Sequence, residues 1–286
     1  MATVLRAADL RLPPGPVDLT AIDSGATPGF SGNKSEGKET LFALGDELSS
    51  LQERLFAEGV ADVGHGRAVL LVLQGMDTSG KGGVLRHTVG LVDPQGVSIT
   101  SFKKPTEEEA QHDFLWRIRK ALPTKGRIGV FDRSHYEEVL IVRVHELVPL
   151  DEIEGRYDLI NAFEAELVGA GITIIKCMLH ISAETQKERL LARLGDPTKH
   201  WKFNPADIDE RAKWPEYRHA YEIALERTNT EVAPWYVVPS DRKWYRNLAI
   251  GNLLHETLVG MKPQWPAADF DVEEQKKRLI DEAPIL

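Results

Sequence analysis

The residues most suited to chemistry are nine consecutive ones, GMDTSGKGG, at positions 75–83. They match the pattern G-x-x-x-x-G-K, and they lie between an apolar run typical of a strand and a helix-like apolar pattern. Glycines there allow backbone N–H groups to turn inward around a phosphate, while Lys81 supplies a mobile cation. A glycine-rich turn with a solvated lysine is the alternative interpretation. The residues predicted to form the phosphate site are Gly75, Gly80, Lys81, Gly82 and Gly83.

Position 82 departs from the usual form of this motif. Gly82 lies where most P-loop enzymes have the Ser or Thr whose hydroxyl binds Mg²⁺. A metal must then be held by other residues. Asp77 is a candidate ligand, because a carboxylate inside the loop repels phosphate unless a cation lies between them. A purely structural role for Asp77, capping the turn, is the alternative.

A second group of polar residues follows another apolar run, in the segment IGVFDRSHYE at positions 128–137. Asp132 lies at the predicted carboxyl end of a buried parallel strand, where a metal-binding acid accompanies a P-loop, although it also suits a helix N-cap. Arg133 has the geometry to bind a transferring phosphate through two hydrogen bonds. Glu137 fits a capping box with Ser134, and a place in the ligand pocket is the competing interpretation.

Further basic residues are predicted near the same site. Lys103 and Lys104 follow another predicted strand, so they face the same edge of the sheet, either solvated or bound to phosphate. Arg189 and Arg193 are four residues apart on a predicted helix, which puts both on one face about 6 Å apart at Cβ and suits successive phosphates.

The segment that holds these arginines is basic, although the chain is acidic. From Lys187 to Lys202 there are five basic and two acidic residues, a local charge of +3, and Lys199 is one of the five. A helical lid of about residues 182–219, closing over the P-loop, is therefore predicted. A solvated charged helix is the alternative.

The elements that must position these groups form an α/β pattern. Short apolar runs separated by helical patterns predict parallel strands that are buried on both faces. These runs are Ala68–Leu73, Val97–Phe102, Ile128–Phe131, Ile172–Leu179 and Trp235–Val238. The predicted fold is a three-layer α/β/α sandwich on a parallel sheet of about five strands.

Composition and spacing also predict the outer segments. Residues 1–39 are predicted to form an irregular arm, disordered or loosely docked, because Pro and Gly recur between Pro13 and Lys38 with almost no apolar periodicity. The phosphotransferase domain is predicted to span 40–262, beginning with a helix from Thr40 towards Ala61. Residues 263–286 are predicted to form a tail with a short charged helix.

Composition excludes several classes of protein. The 286 residues carry a net charge of −9, which argues against a nucleic-acid coat protein. The apolar runs are too short to span a membrane, and no secretory leader is recognisable. The single cysteine, Cys177, fits a reducing cytoplasm.

Three segments in order, GMDTSGKGG, VFDRSHYEE and RLLARLGDPTKHWKFNPADID, resemble the polyphosphate kinase 2 family. The resemblance spans about residues 40–260. It implies a thymidylate-kinase-like P-loop fold that transfers the terminal phosphate of inorganic polyphosphate to AMP or ADP, reversibly in principle. The implied cofactor is Mg²⁺, with Mn²⁺ as an alternative, and the implied assembly is a homodimer or homotetramer.

The resemblance also implies roles for individual residues. Asp77 and Asp132 match the aspartates that position metal and phosphate, while Lys81, Arg133 and the lid arginine Arg193 match phosphate contacts. Asp209 resembles a further functional acid, and the sequence His-Tyr-Glu at 135–137 resembles the subgroup that accepts AMP as well as ADP. An ATP-dependent nucleoside or nucleotide kinase of the same fold and a nucleotide-binding protein without turnover are the two other hypotheses.

Overall fold

A computed structural model describes residues 5–63 and 66–282. One all-parallel sheet has the strand order β2-β3-β1-β4-β5. Its strands are β1 Ala68–Gln74, β2 Val97–Ser101, β3 Ile128–Asp132, β4 Ile172–His180 and β5 Trp235–Pro239. Each strand coincides with a predicted one within two residues at either end, and the predicted fold class is confirmed.

Helices connect the strands and cover both faces of the sheet. The α-helices of the described residues are α1 Lys34–Val60, α2 Lys81–His87, α3 Trp116–Lys120, α4 Ile141–Val144, α5 Leu150–Gly169, α6 Ala183–Leu194, α7 Ala206–Ala212, α8 Trp214–Thr228, α9 Lys243–Met261 and α10 Val272–Asp281. Short 3₁₀ helices occupy Ala7–Asp9, Leu19–Ala21, Val89–Leu91, Pro94–Gly96, Glu109–Gln111, His135–Val139 and Pro197–Lys202.

The core consists of two apolar layers separated by the sheet. Leu70 and Val72 of β1 pack into the layer that α5 and α8 cover, whereas Leu71 and Leu73 pack into the layer under α1, α2 and α9. Alternate side chains of a strand point to opposite faces, so β1 is buried on both sides. In the parallel register Leu73 lies opposite Asp132 of β3. The P-loop, residues 75–83, therefore leaves the sheet beside the carboxyl end of β3.

From residue 5 onward the N-terminal arm packs against the body, which corrects the expectation of a disordered or loosely docked segment for this part of the chain. The amide of Leu12 donates to the carbonyl oxygen of Trp235 at 2.9 Å, and the amide of Val237 donates to that of Leu10 at 3.0 Å. The arm thus runs antiparallel along the outer edge of β5 and satisfies backbone groups there. Leu5 and Leu10 are buried as anchors, and apolar residues spaced this widely leave no periodic signal in the sequence.

Helix α1 begins at Lys34, six residues before the predicted start at Thr40. The side chain of Asn33 accepts hydrogen bonds from the amides of Ser35 and Glu36, and Glu36 accepts one from the amide of Asn33 at 2.7 Å. This capping box starts the helix in a glycine-containing segment that its composition alone would place in the irregular arm. At the other end of the chain α10 has no buried residue. Within residues 5–63 and 66–282, none of the helices is both long and apolar enough to cross a bilayer.

Candidate active site

The P-loop connects β1 to α2 through residues with unusual backbone angles. Gly75 and Gly80 have φ of +151° and +110°, and Thr78 has φ of +65°. Left-handed angles of this kind turn successive amides to one side, and a non-glycine residue there is a local strain that the surroundings must hold. The Nζ of Lys81 donates to the carbonyl oxygen of Gly75 at 3.0 Å, so the lysine lies across the mouth of the loop.

Two glycines of the loop pack so closely against an arginine behind it that neither position has room for a side chain. Arg246 of α9 is buried at 2% exposure, and it donates to the carbonyl oxygen of Ser79 at 3.0 Å. A Cβ on Gly80 or Gly83 would overlap its guanidinium, whereas a Cβ on Gly82 would meet nothing within 4 Å. The absence of a hydroxyl at position 82 is therefore not enforced by the packing.

Arg189 of the lid also holds the loop from behind. Its Nη1 donates to the carbonyl oxygens of Thr78 and Ser79 at 2.7 and 3.2 Å, and its Nη2 donates to those of Ser240 and Asp241 at 2.6 and 3.0 Å. Both terminal nitrogens are thus engaged with backbone. This corrects the expectation that Arg189 presents its guanidinium to a phosphate, because its direction is set by partners distant in the sequence.

The end of β3 brings an arginine between two carboxylates. Arg133, with φ of +64°, lies 3.5 Å from Asp77 (Nη2 to Oδ1) and 3.6 Å from Glu137 (Nη1 to Oε2). Desolvation alone would lower the pKa of Arg133, but the charges of Glu137 and Asp77 outweigh it and raise that pKa. Asp132 lies just before Arg133, at the last position of β3. The P-loop and the β3 end thus form one polar site.

Lys81 is poised for an anionic ligand. Burial lowers the pKa of Lys81, and the positive charge of Arg133 lowers it further, while Asp132 and Asp77 act in the opposite direction. A partly desolvated cation gains when a phosphate enters beside it.

Glu137 does not cap a helix, which corrects the capping-box interpretation of Ser134 and Glu137. Ser134 accepts from the amide of Tyr136 at 3.2 Å, but the residues that follow form a 3₁₀ helix, His135–Val139. With its amide nitrogen toward Glu137, Gln74 donates to Oε1 at 3.0 Å. Desolvation raises the pKa of Glu137, although Arg133 and Lys81 oppose the shift.

A buried ion pair supports this segment from below. Lys176 of β4 contacts Glu164 of α5 at 2.6 Å, and both side chains have no exposed surface. Tyr136 donates to Glu164 at 2.7 Å, and Lys176 also donates to the carbonyl oxygen of Thr228 at 2.8 Å. Charge at this depth is tolerated because each member is paired and hydrogen-bonded.

The remaining predicted lid residues lie apart from one another. Arg193 donates to the carbonyl oxygen of Lys202 at 3.1 Å and lies 3.6 Å from Asp207. Lys199 is exposed and pairs with Asp196 at 2.6 Å. Burial raises the pKa of Asp207, and the charge of Asp77 acts in the same direction, so a lid carboxylate faces the P-loop carboxylate.

A cavity of about 200 Å³ lies between the P-loop, the β3 end and the lid. Its polar lining includes Asp77, Arg133, Glu137, Gln186, Asn204, Asp207 and Glu210. Its aromatic lining is Trp214, Tyr217 and Tyr221. The hydroxyl of Tyr221 accepts from the amide of Gly75 at 3.0 Å, so an aromatic residue of the lid region contacts the P-loop directly.

Asp209 is exposed, and the cavity is lined by Asp207 and Glu210 instead. Asp207 and Glu210 are three residues apart on α7 and share a helix face that Asp209 does not share. The predicted role of Asp209 as a functional acid stays a prediction. The i, i+3 spacing was the available signal, but only packing shows which face of α7 turns inward. Lys103 and Lys104 are also exposed; they follow the outer strand β2 and do not line this cavity.

Asp77 and Asp132 are the residues that suit a divalent metal. Among residues 5–63 and 66–282, His, Cys, Asp and Glu side chains form no group of three or more that would hold a metal alone. Mg²⁺ typically takes only one or two protein carboxylates and completes its coordination with substrate phosphates and waters. Two carboxylates beside a phosphate loop therefore fit Mg²⁺ that is shared with a bound phosphate.

Comparison with known proteins gives consistent matches over most of the chain. The family model for polyphosphate kinase 2 (PPK2) matches residues 31–266. An AMP/ADP-polyphosphate phosphotransferase of Meiothermus ruber is 44% identical over 254 residues, which cover 89% of this chain and 93% of that protein. An ADP-polyphosphate phosphotransferase of Rhodopseudomonas palustris is 43% identical and covers 87% of this chain and 88% of that protein.

A solved structure agrees with the sequence relatives. The crystal structure of polyphosphate kinase 2 from Arthrobacter aurescens TC1 superimposes with a TM-score of 0.94 and 49% identity, over 99% of both chains. Its P-loop kinase fold is the one predicted here. The chain belongs to the polyphosphate kinase 2 family.

Proposed function

We propose that this chain transfers the terminal phosphoryl group of inorganic polyphosphate to AMP or ADP, in a reaction that is reversible in principle. The observation that carries the proposal is the cavity in which Arg133 lies between the P-loop residue Asp77 and Glu137, beside the partly desolvated Lys81. The relatives named as AMP/ADP- and ADP-polyphosphate phosphotransferases support the choice of donor and acceptor.

The reaction needs no protein base. A terminal phosphate ester has a second pKa of about 6 and is largely ionised at pH 7, so AMP or ADP offers a phosphate oxygen as the nucleophile. That oxygen forms a bond to the terminal phosphorus of polyphosphate, the P–O bond to the penultimate phosphate breaks, and its electron pair stays on the shortened chain. Catalysis then consists of alignment and charge neutralisation.

The residues at the site divide this work. The P-loop amides and Lys81 hold the transferring group, Arg133 neutralises its oxygens from the β3 side, and Arg193 approaches from the lid. Asp77 and Asp132 would hold Mg²⁺, which when bound supplies charge neutralisation for the phosphates. Glu137, Tyr217 and Trp214 border the space proposed for the acceptor nucleotide.

The lid must open for a nucleotide to enter. The cavity of about 200 Å³ is smaller than the roughly 300–1,000 Å³ that ligand pockets occupy. Helix α7 carries Asp207 toward Asp77, and like charges at that contact favour separation unless a cation or proton intervenes. We therefore expect the lid to move outward when substrate binds and to close again with Arg193 at the phosphates.

Donor identity is the decisive test. The protein is incubated with AMP, polyphosphate and Mg²⁺ without ATP, and ADP is measured by ion-exchange chromatography. We expect ADP to form, Lys81→Met to abolish its formation, and Lys276→Met on the exposed α10 to leave the rate unchanged. ADP made only when ATP is supplied would instead identify an ATP-dependent kinase. Nucleotide binding without transfer from either donor would identify a binding protein.

Two further features remain proposals of the same kind. The buried thiol of Cys177 is consistent with a cytoplasmic protein. A dimer or tetramer stays a prediction, and light scattering measures it directly.

A further inference from the structure

One carboxylate of the lid binds two donors on the α4 side of the cavity. The Nε2 of His145 lies 3.0 and 3.1 Å from the two carboxylate oxygens of Glu210, and the hydroxyl of Tyr217 donates to Glu210 at 2.6 Å. A carboxylate can only accept, so the Nε2 of His145 carries the proton of this contact. His145 directly follows α4 in the body, whereas Glu210 lies on α7 of the lid. We call the contact between His145 and Glu210 the lid latch.

The lid latch is a charged contact. Burial alone would raise the pKa of Glu210, but the hydrogen bonds from Tyr217 and His145 outweigh burial and lower that pKa. Burial and the hydrogen bond to Glu210 raise the pKa of Tyr217, so its hydroxyl keeps the proton that it donates. Glu210 is therefore ionised at neutral pH, and hydrogen bonds to an ionised acceptor are shorter and stronger than neutral ones.

Helix α7 is held from both sides of the cavity. On the α6 side, Arg211 donates to Oε1 of Gln186 at 3.0 Å, and Gln186 in turn donates to the carbonyl oxygen of Asp77 at 3.1 Å. On the α4 side, the attachment is the lid latch. Among residues 5–63 and 66–282, α7 forms two ion pairs, and the pair of Glu210 with His145 is the one that joins the lid to the body.

The position of α7 also sets the surroundings of the lid arginine. Asp207 lies three residues before Glu210 on the same face of α7, and its Oδ2 is 3.6 Å from Nη1 of Arg193. A contact that fixes Glu210 therefore also fixes the carboxylate beside Arg193. It further opposes the repulsion between Asp207 and Asp77, which would move α7 away from the P-loop.

We propose that His145 is a positioning residue for phosphoryl transfer, because through Glu210 it holds α7 closed with Arg193 aligned on the transferring phosphate. This inference rests on the proposed function and assigns a role to a residue outside the cavity. In the described part of the chain, Glu210 and Tyr217 line the cavity, whereas His145 does not. His145 thus acts through Glu210 and not by touching the substrate.

A double-mutant cycle tests the proposal. His145→Ala is assayed with AMP, polyphosphate and Mg²⁺, both in the wild-type chain and in Arg193→Ala. In the wild-type chain we expect kcat to fall by about tenfold, the effect of losing a charge-assisted hydrogen bond that water partly reaches. In Arg193→Ala the same substitution should change kcat by less than about twofold, because the group that it positions is already gone. His145→Gln, whose amide can still donate to Glu210, should lose less activity than His145→Ala.

A second histidine–glutamate pair provides a matched control. His255 of α9 lies 3.0 Å from Glu47 of α1 (Nε2 to Oε2), and neither residue lines the cavity. His255→Ala should keep the kcat of wild type. If His145→Ala only destabilised the fold, it would lower kcat equally with and without Arg193; that result, or an unchanged kcat, would overturn the proposal.

Hydrogen exchange measures the lid latch without using the reaction. The amides of residues 206–212 should exchange about tenfold faster in His145→Ala than in wild type or His255→Ala, because the opening of α7 no longer breaks a charged contact. Exchange at the wild-type rate would refute the latch whether or not the protein is active. If wild type makes no ADP from polyphosphate, the proposed function fails, which is a distinct result.

Discussion

Arg189 donates a 2.7 Å hydrogen bond to the carbonyl oxygen of Thr78, the P-loop residue that holds φ of +65°. The same guanidinium reaches the carbonyl oxygens of Ser240 and Asp241, just past β5. One lid side chain thus ties the phosphate loop to the neighbouring strand end. By binding the carbonyl oxygens of Thr78 and Ser79, Arg189 fixes the backbone of the loop from behind.

Alanine substitutions at Arg189 and at Arg193 are therefore expected to have different effects on activity and stability. Arg193→Ala should lower kcat by on the order of 10³ and leave Tm unchanged, because an arginine at the transferring phosphate acts on the transition state. Arg189→Ala should lower activity and also lower Tm by several degrees, at roughly 2–4 °C per kcal/mol of lost hydrogen bonding. Steady-state kinetics and thermal unfolding of both variants measure these effects. If Arg189→Ala had the same Tm as wild type, Arg189 would not stabilise the P-loop.

The three P-loop glycines after Ser79 are expected to differ in how well they tolerate substitution by alanine. Gly82→Ala should bind phosphate nearly as wild type, since its Cβ meets nothing within 4 Å. Gly83→Ala should displace Arg246 and the loop, and a shift of about 1 Å lowers activity by roughly 10²-fold. Gly80→Ala adds an unfavourable backbone angle to the same overlap. Activity with polyphosphate ranks the three variants, and an inactive, folded Gly82→Ala would contradict this order.

Glu137 is expected to reduce stability at neutral pH. Because desolvation raises its pKa in the folded state, the stability linked to this group is complete below the unfolded pKa, near 4.5, and is lost as pH rises through the folded value. Glu137→Gln mimics the protonated side chain. The variant should therefore unfold at a higher temperature than wild type at pH 7, and the difference should vanish below pH 4.5. Thermal unfolding across this pH range tests the sign, and a variant less stable at pH 7 would refute it.

The buried pair of Lys176 and Glu164 is expected to be sensitive to the loss of one partner. Lys176→Met removes the cation beside the fully buried Glu164 and leaves this carboxylate with only the hydroxyl of Tyr136 and the ring of His135, which should destabilise the fold by about 3–5 kcal/mol. The double variant Lys176→Met/Glu164→Gln should recover part of that loss, because no buried charge remains. Urea unfolding gives the free energies; if the double variant were as unstable as the sum of both single variants, charge burial would not be the cause.

The sequence by itself determined the sheet and the two motifs at its edge. Continuous apolar runs such as Ala68–Gln74 define buried strands, because each residue of the run packs on one face or the other. The positions of Asp132 and Lys81 are also predictable from local sequence, because Asp132 ends a strand and Lys81 begins a helix, and neighbouring residues define both ends. Parallel order then brings such ends together at one edge.

Only the tertiary structure decided which side chains line the cavity and which hold the loop. Arg189 and Arg193 share a spacing that suits phosphates, yet the partners of Arg189 lie more than 50 residues away in the chain. The choice of Asp207 over Asp209 depends on how α7 packs over the P-loop. Arg246 reaches the loop from α9, although 167 residues separate it from Ser79. Helical periodicity identifies the faces of a helix, but long-range packing determines which face turns inward.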